Sequence, residues 1–344
     1  MTSLRRLWNH FWFEDASPDN LGLCRIVLFG TMFLYYVFAP RIFPSRGYLA
    51  DFVPWGSVSR IFWSPVWLIS VLHLPPASTQ VLGVMQTTWR IALLFGCIGL
   101  FTRVSTAICF VFGLYFFGLP ASFGRIHHTE HVLIFSFLIM AFSRCGDAWS
   151  VDALIRKGRA GAVKEPPALS GEYTWPVRMI WVVMALMYFA AGVSKIRHSG
   201  FEWINSDTMA TFLIAHAYHI SMADPLTSWG PVLARTVMIP RLLAAVSMIV
   251  ELAMPLALFS RRFRCLLVPS AALMQFGIVA LLGPSFYQLI LCQLLWVPWD
   301  LVVARVTRPA ETLHRYTMVC DGEIEPVKAL VVTKGDSYAT RLPH

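Results

Sequence analysis

Apolar runs of about 20 residues, the length a helix needs to cross the hydrocarbon of a bilayer, recur along the 344 residues and are separated by short polar breaks. Their positions predict eight spans, at about 21–40, 81–101, 104–121, 127–143, 175–195, 237–259, 263–283 and 284–299. The apolar stretch 61–74, IFWSPVWLISVLHL, is too short for a ninth and is interrupted by Pro65. It is expected to be a re-entrant or interfacial helix. The same holds for 208–220, whose His216 and His219 would lie on a wet face. The first twenty residues, MTSLRRLWNHFWFEDASPDN, are amphipathic and aromatic, the pattern of a helix lying on the membrane. No short apolar region followed by an A-x-A site marks them as a cleavable signal. The pattern therefore divides the chain into an interfacial segment 1–20, an all-α polytopic bundle 21–300 and a short tail 301–344. In the tail, YTMVCDGEIEPVKALVVTKGDSY can form a short hairpin of strands. There is no internal repeat and no low-complexity tract.

Composition agrees with the pattern: 57% of residues are hydrophobic and only 14% are charged, with a mean hydropathy of +0.60. A soluble domain carries about 25% charged residues. The net charge of +9 is spread over loops and gathers on no single face, which favours anionic lipid as the partner and argues against nucleic acid. If the N-terminus is cytoplasmic, 18 of the 28 Lys and Arg residues fall inside, eight fall outside, and Arg25 and Arg90 lie within spans. That bias supports an even number of spans with both termini cytoplasmic. The seven cysteines form no C-x-x-C pair and mostly lie in apolar runs, as small core residues do.

This topology brings three polar clusters to the external side. They are His127, His128, Glu130 and His131 at the start of span four, Lys195 and His198 at the end of span five, and Gly283 to Tyr287 between spans seven and eight. Lys195 lies in YFAAGVSKIRHSGFEW, residues 188–203, where small residues lead to a lysine at the edge of the hydrocarbon. Two readings are open. The lysine can snorkel to the headgroups and end the helix, or it can be desolvated and act as a base. In HHTEH, His127 and His131 share a helical face at a spacing able to ligate a metal. The acid is displaced from the H-E-x-x-H pattern and no third ligand is specified, so no metal is assigned. Hydrogen bonding, proton relay and an ordinary interfacial position remain open for these histidines. Arg90 and Glu251, charges within spans two and six, are expected to pair structurally. Pro54, Trp55, Trp63 and Trp67 read as an outer aromatic belt, and Arg261, Arg262 and Arg264 as an inside anchor.

Taken together, Ala191-Gly192-Val193-Ser194-Lys195 followed by Trp203, the histidines opening span four, and Asp147-Ala148-Trp149-Ser150-Val151-Asp152 closing it resemble a known family. The resemblance is to the membrane domain of vitamin K-dependent gamma-carboxylases and the wider horizontally transferred transmembrane (HTTM) family, over roughly residues 15–300. It implies that Lys195 is the base that deprotonates a reduced, vitamin K-like quinone and that His128 assists it by hydrogen bonding. A carbanion formed on a substrate glutamate would then attack CO2. His127, His131, Gln275 and Tyr287 would line the substrate pocket. The chain departs from the family where His127 replaces an asparagine and Gln275 a histidine, and only about 45 residues follow span eight where the carboxylases carry a large lumenal domain. The resemblance also implies a bacterial-type inner membrane. The competing reading is a non-enzymatic membrane partner, an immunity or maturation protein with a membrane or periplasmic protein as its partner. A transporter is disfavoured by the absence of repeats and of several intramembrane acids.

Overall fold

The computed structural model describes residues 3–42, 71, 77–121, 129–160, 168–218, 227, 229–283 and 286–307, and these residues contain helices and no strand. The expected re-entrant helix at 61–74, apart from Val71, and the expected hairpin in the tail lie outside them. The residues up to Asp300 form one compact unit and those from Leu301 a separate one.

An amphipathic helix α1 (Ser3–Phe13) precedes the first long apolar helix, α2 (Pro18–Ile42). Helices α3 (Thr79–Ile98), α4 (Thr102–Ala121) and α5 (Thr129–Phe142) pack in sequence beside it. A short polar helix α6 (Val151–Ala160) leads to α7 (Trp175–Ser199). After α8 (Glu202–Asn205), α9 (Thr208–Tyr218) and α10 (Trp229–Ala234) come α11 (Met238–Ala253) and α12 (Leu256–Phe259). The bundle continues with α13 (Arg261–Leu282) and α14 (Tyr287–Cys292), and α15 (Trp299–Thr307) follows.

Among the described residues, five helices are long and apolar enough to cross a membrane: Pro18–Phe38, Gln80–Ile98, Thr102–Leu119, Gly171–Ser199 and Arg261–Leu282. The other three apolar runs fold as shorter elements, for visible reasons. α5 has 14 residues. The run at 237–259 is interrupted between α11 and α12 at Met254-Pro255, where proline cannot donate to the preceding turn. The last run continues from α14 into a 3-10 turn, Gln293–Trp296, and stops at Val297, whose ψ of 131° is the extended conformation required before Pro298.

One end of the bundle is tied by Arg25. Its guanidinium is fully buried and donates to four carbonyls: Gly96 at 2.6 Å, Cys97 at 2.9 Å, Cys145 at 3.0 Å and Trp149 at 2.6 Å. Gly99, with φ of 72°, lets the chain turn between α3 and α4. A Cβ there would lie 2.3 Å from Ser150 Cβ and 2.5 Å from an Arg25 nitrogen. The DAWSVD element lies on this clip, with each polar side chain holding a different partner. Trp149 donates to Asp19, Ser150 caps α6 by accepting from Ala153, and Asp152 caps α4 from fifty residues away. The Asp152 carboxylate accepts from the Phe101 amide, the Thr102 amide and the Thr102 hydroxyl at 3.0, 2.8 and 2.7 Å. Partial burial alone would raise its pKa, but these bonds and nearby Arg156 outweigh burial and hold the carboxyl below its ordinary value.

Arg25→Met is expected to leave carbonyls without donors in an apolar setting. It should cost at least about 3 kcal/mol, on the scale of hydrogen bonds made by charged groups, measured by unfolding in detergent. Arg25→Lys should recover only part, because a single ammonium cannot reach four carbonyls. The lowered carboxyl of Asp152 makes its contribution complete above the ordinary pKa and lost as pH falls through the lower folded value. Wild-type stability should therefore decline more steeply than that of Asp152→Asn as pH is lowered through the ordinary carboxylate value of 3.8, measured as unfolding midpoint against pH.

Candidate functional site

The buried positions of α7 (Val177, Ile180, Met184, Ala185, Tyr188 and Gly192) recur every three or four residues and form one stripe. Lys195 extends that stripe by one more turn. It lies twenty residues past Trp175, about 30 Å of helix at 1.5 Å per residue. α11 packs antiparallel against this face, and Gly192 sets how closely. A Cβ on Gly192 would meet Leu252 at 2.9 Å and the Glu251 side chain at 3.2 Å. At that separation the Lys195 ammonium donates to both carboxylate oxygens of Glu251, and only 20% of the lysine and 7% of the glutamate side chain is exposed. The ring of Trp203, from α8, covers the ammonium at 5.1 Å, a cation–π contact.

Lys195 therefore turns across to a neighbouring helix instead of reaching along its own axis to the headgroups. The structure also corrects one pairing. Glu251 was expected to neutralise Arg90, yet its carboxylate is held by Lys195. The expectation matched two intramembrane charges by composition. It missed that the small residues before Lys195 bring α11, and Glu251 with it, onto the lysine's face.

The polar face continues along α7. Two turns below Lys195, the buried Tyr188 hydroxyl accepts from Gln293 Nε2 at 2.6 Å, with buried Gln275 of α13 beside it. The Oε1 atoms of Gln275 and Gln293 have no hydrogen-bond partner among the described residues. A carboxylate, an ammonium, a phenol and two carboxamides from four elements thus line one side of α7 where it faces α11, α13 and the 3-10 turn.

The other candidates fall in different places. His127 and His128 lie outside the described residues. His131 is partly buried in the first turn of α5, beside buried Glu130, and α5 packs antiparallel to α7, so this turn lies at the Lys195 end of the bundle. His198 is exposed and hydrogen-bonds back to the Ser194 carbonyl at 2.8 Å. Tyr287 opens α14, with its ring 6.0 Å from that of Tyr35 in α2. Of the residues singled out from sequence, Lys195 and Gln275 thus share one polar face, and Tyr287 packs against a different helix. The sequence reading missed Tyr188 and Gln293, and it mispaired Glu251. Tyr188 could have been found from its register, since 188, 192 and 195 fall on one helical face.

Chemically, an ammonium and a carboxylate at this separation form one proton-exchanging unit. Screened from water, they attract strongly and each becomes costly without the other. Comparison of the chain with protein-family models, curated proteins and solved structures found no match.

Removal of either charge should be severe and removal of both mild. Lys195→Met and Glu251→Leu are each expected to destabilise by about 3–5 kcal/mol, and the double variant by much less than their sum. A double-mutant cycle on unfolding in detergent measures this coupling. A Glu251→Gln protein as stable as wild type would dismiss the pair.

Proposed function

We propose that this chain is an HTTM-type membrane protein of about eight spans with both termini cytoplasmic, in a bacterial-type inner membrane. We further propose that Lys195 with Glu251 exchanges a proton with a lipophilic hydroxyl-bearing small molecule such as a reduced quinone. The Lys195–Glu251 pair, with the glutamate buried and the lysine partly so, carries this reading. In this reading the pair is an acid–base unit within reach of the hydrocarbon, where a quinol arrives by lateral diffusion. Gln275, Gln293 and Tyr188 supply nearby polar groups able to hold ring oxygens.

The paired lysine is an ammonium and cannot accept a proton directly. Transfer of one Nζ proton to Glu251 yields a neutral amine beside a carboxylic acid. The amine then takes the quinol O–H proton, which leaves a quinolate next to the re-formed ammonium. Overall charge is conserved at each step, and the anion is created against the positive charge that stabilises it. Glu251 thereby becomes the proton store that lets a charged lysine act as a base. His128, carried over from the family resemblance, would hydrogen-bond within the site.

The second reading is the partner protein, favoured by the same pair's being satisfied by its own two members. Lys195→Arg separates the two. Arginine keeps the charge and the pairing but does not release a proton. With wild type and variant in nanodiscs supplied with a naphthohydroquinone, quinol oxidation under air and carbon dioxide is expected to fall by at least about 100-fold, the scale of a lost general base. Equal rates in the two proteins, or a rate no higher than that of empty nanodiscs, would overturn the enzymatic reading in favour of the partner protein.

A further inference from the structure

At the end of the bundle tied by Arg25, far along α7 from Lys195, a cavity of about 270 Å³ opens between the start of α4, the loop after α5 and helix α6. Three arginines from three different elements line it: Arg103, Arg144 and Arg156. The two carboxylates in its wall are already engaged. Asp147 accepts from Arg144 at 2.8 Å, from Arg156 at 3.1 Å and from the Tyr173 hydroxyl at 3.1 Å. Asp152 is taken up by the backbone and hydroxyl of the α4 cap. The exposed Arg103 side chain, by contrast, makes no hydrogen bond or ion pair among the described residues. Arg144 and Arg156 keep most of their five N–H donors free of partners. The cavity therefore carries a surplus of donors and of positive charge, and its acids are occupied. Planar donor forks in that state match the oxygens of a phosphate.

The rim identifies the source of the phosphate. Phe101, 65% exposed, and Val104, 61% exposed, line the cavity beside Arg103, and Phe142, 77% exposed, directly precedes Ser143 and Arg144 in its wall. α6 exposes Leu154 and Ile155 with Arg156, Lys157 and Arg159 around and beside them, the mixture of apolar and basic side chains of a helix at a membrane surface. An arginine pocket with an apolar rim fits a molecule with a phosphate at one end and acyl chains at the other. We propose that this cavity binds a phosphate ester, namely the headgroup of an anionic phospholipid from the adjoining leaflet, with Arg103 as the arginine free to hold it. The proposal does not depend on the chemistry assigned to Lys195.

The test is native mass spectrometry of the full chain in detergent, titrated with phosphatidylglycerol, phosphatidylcholine or inorganic phosphate. Arg103 makes no internal contact that folding needs, so Arg103→Gln should fold, and an unchanged unfolding midpoint verifies this. Phosphatidylglycerol is expected to bind the wild type more tightly than phosphatidylcholine. Arg103→Gln should weaken phosphatidylglycerol binding about fivefold, the factor equivalent to about 1 kcal/mol for one arginine at an anionic surface, and Arg103→Lys should restore part of it. Adding Arg156→Gln to Arg103→Gln should weaken it further. Displacement of the lipid by millimolar inorganic phosphate would assign the site to free phosphate and overturn the lipid source. Equal phosphatidylglycerol binding by wild type and Arg103→Gln would overturn the site itself.

Discussion

A buried charge in a membrane must find its counter-charge inside the protein, and much of the second half of this bundle follows from that constraint at Lys195. The ammonium can be held only if a carboxylate comes within bonding distance. α11 therefore has to approach α7 closely, and Gly192, which has no side chain to hold the helices apart, permits it. Trp203 completes the enclosure from the following helix. Tyr188 and the carboxamides of Gln275 and Gln293 extend the polar contact along the same face. A chain of local requirements, from a small residue to a helix separation to a charge pair, thus sets an ammonium and a carboxylate together between two apolar helices.

The opposite end solves the same problem with a different residue. Arg25 has no carboxylate partner. It is satisfied by two carbonyls in the last turn of α3, where a helix terminus leaves such groups without donors, and by two in the loop that follows α5. The DAWSVD element then ties α2, α4, α6 and the turn before α7 to that clip through side-chain caps and hydrogen bonds. The two ends have opposite characters. The Lys195 end encloses one self-neutralising pair, whereas the other end gathers three arginines against two engaged carboxylates around a cavity.

The helices were largely legible in the sequence because apolar run length is set by the membrane and is read directly from the chain. The amphipathic α1 and the short α9 were legible for a similar reason, since hydrophobic pattern and length suffice to distinguish them from spans. The breaks were harder to place. Met254-Pro255 divides one predicted run, and Pro298 ends another early, although both prolines were visible. Pairing was legible only in part. Lys195 and Gln275 could be singled out by their residue types in apolar runs, but the choice of Lys195 over Arg90 as the partner of Glu251 depends on which helices pack together, and run length carries no such information. Arg25 was noticed as a charge within a span, but its four acceptors are backbone atoms, which have no signature in side-chain sequence. The DAWSVD element was legible as a pattern, and the structure supplies its local reasons: one cap for α4, one for α6 and a shared anchor for two arginines.

The most direct test of the central claim is covalent capture of the pair. A membrane-permeant carbodiimide such as dicyclohexylcarbodiimide activates a carboxyl group, and an adjacent amine displaces the urea to form an amide of zero added length. Applied to the protein in bilayers and followed by proteolysis and mass spectrometry, it is predicted to join the peptides that contain Lys195 and Glu251, and the Glu251→Gln protein should lack that species. Glu251 recovered only as its acylurea, with Lys195 unmodified or joined to another acid, would contradict the pair and the proton chemistry built on it.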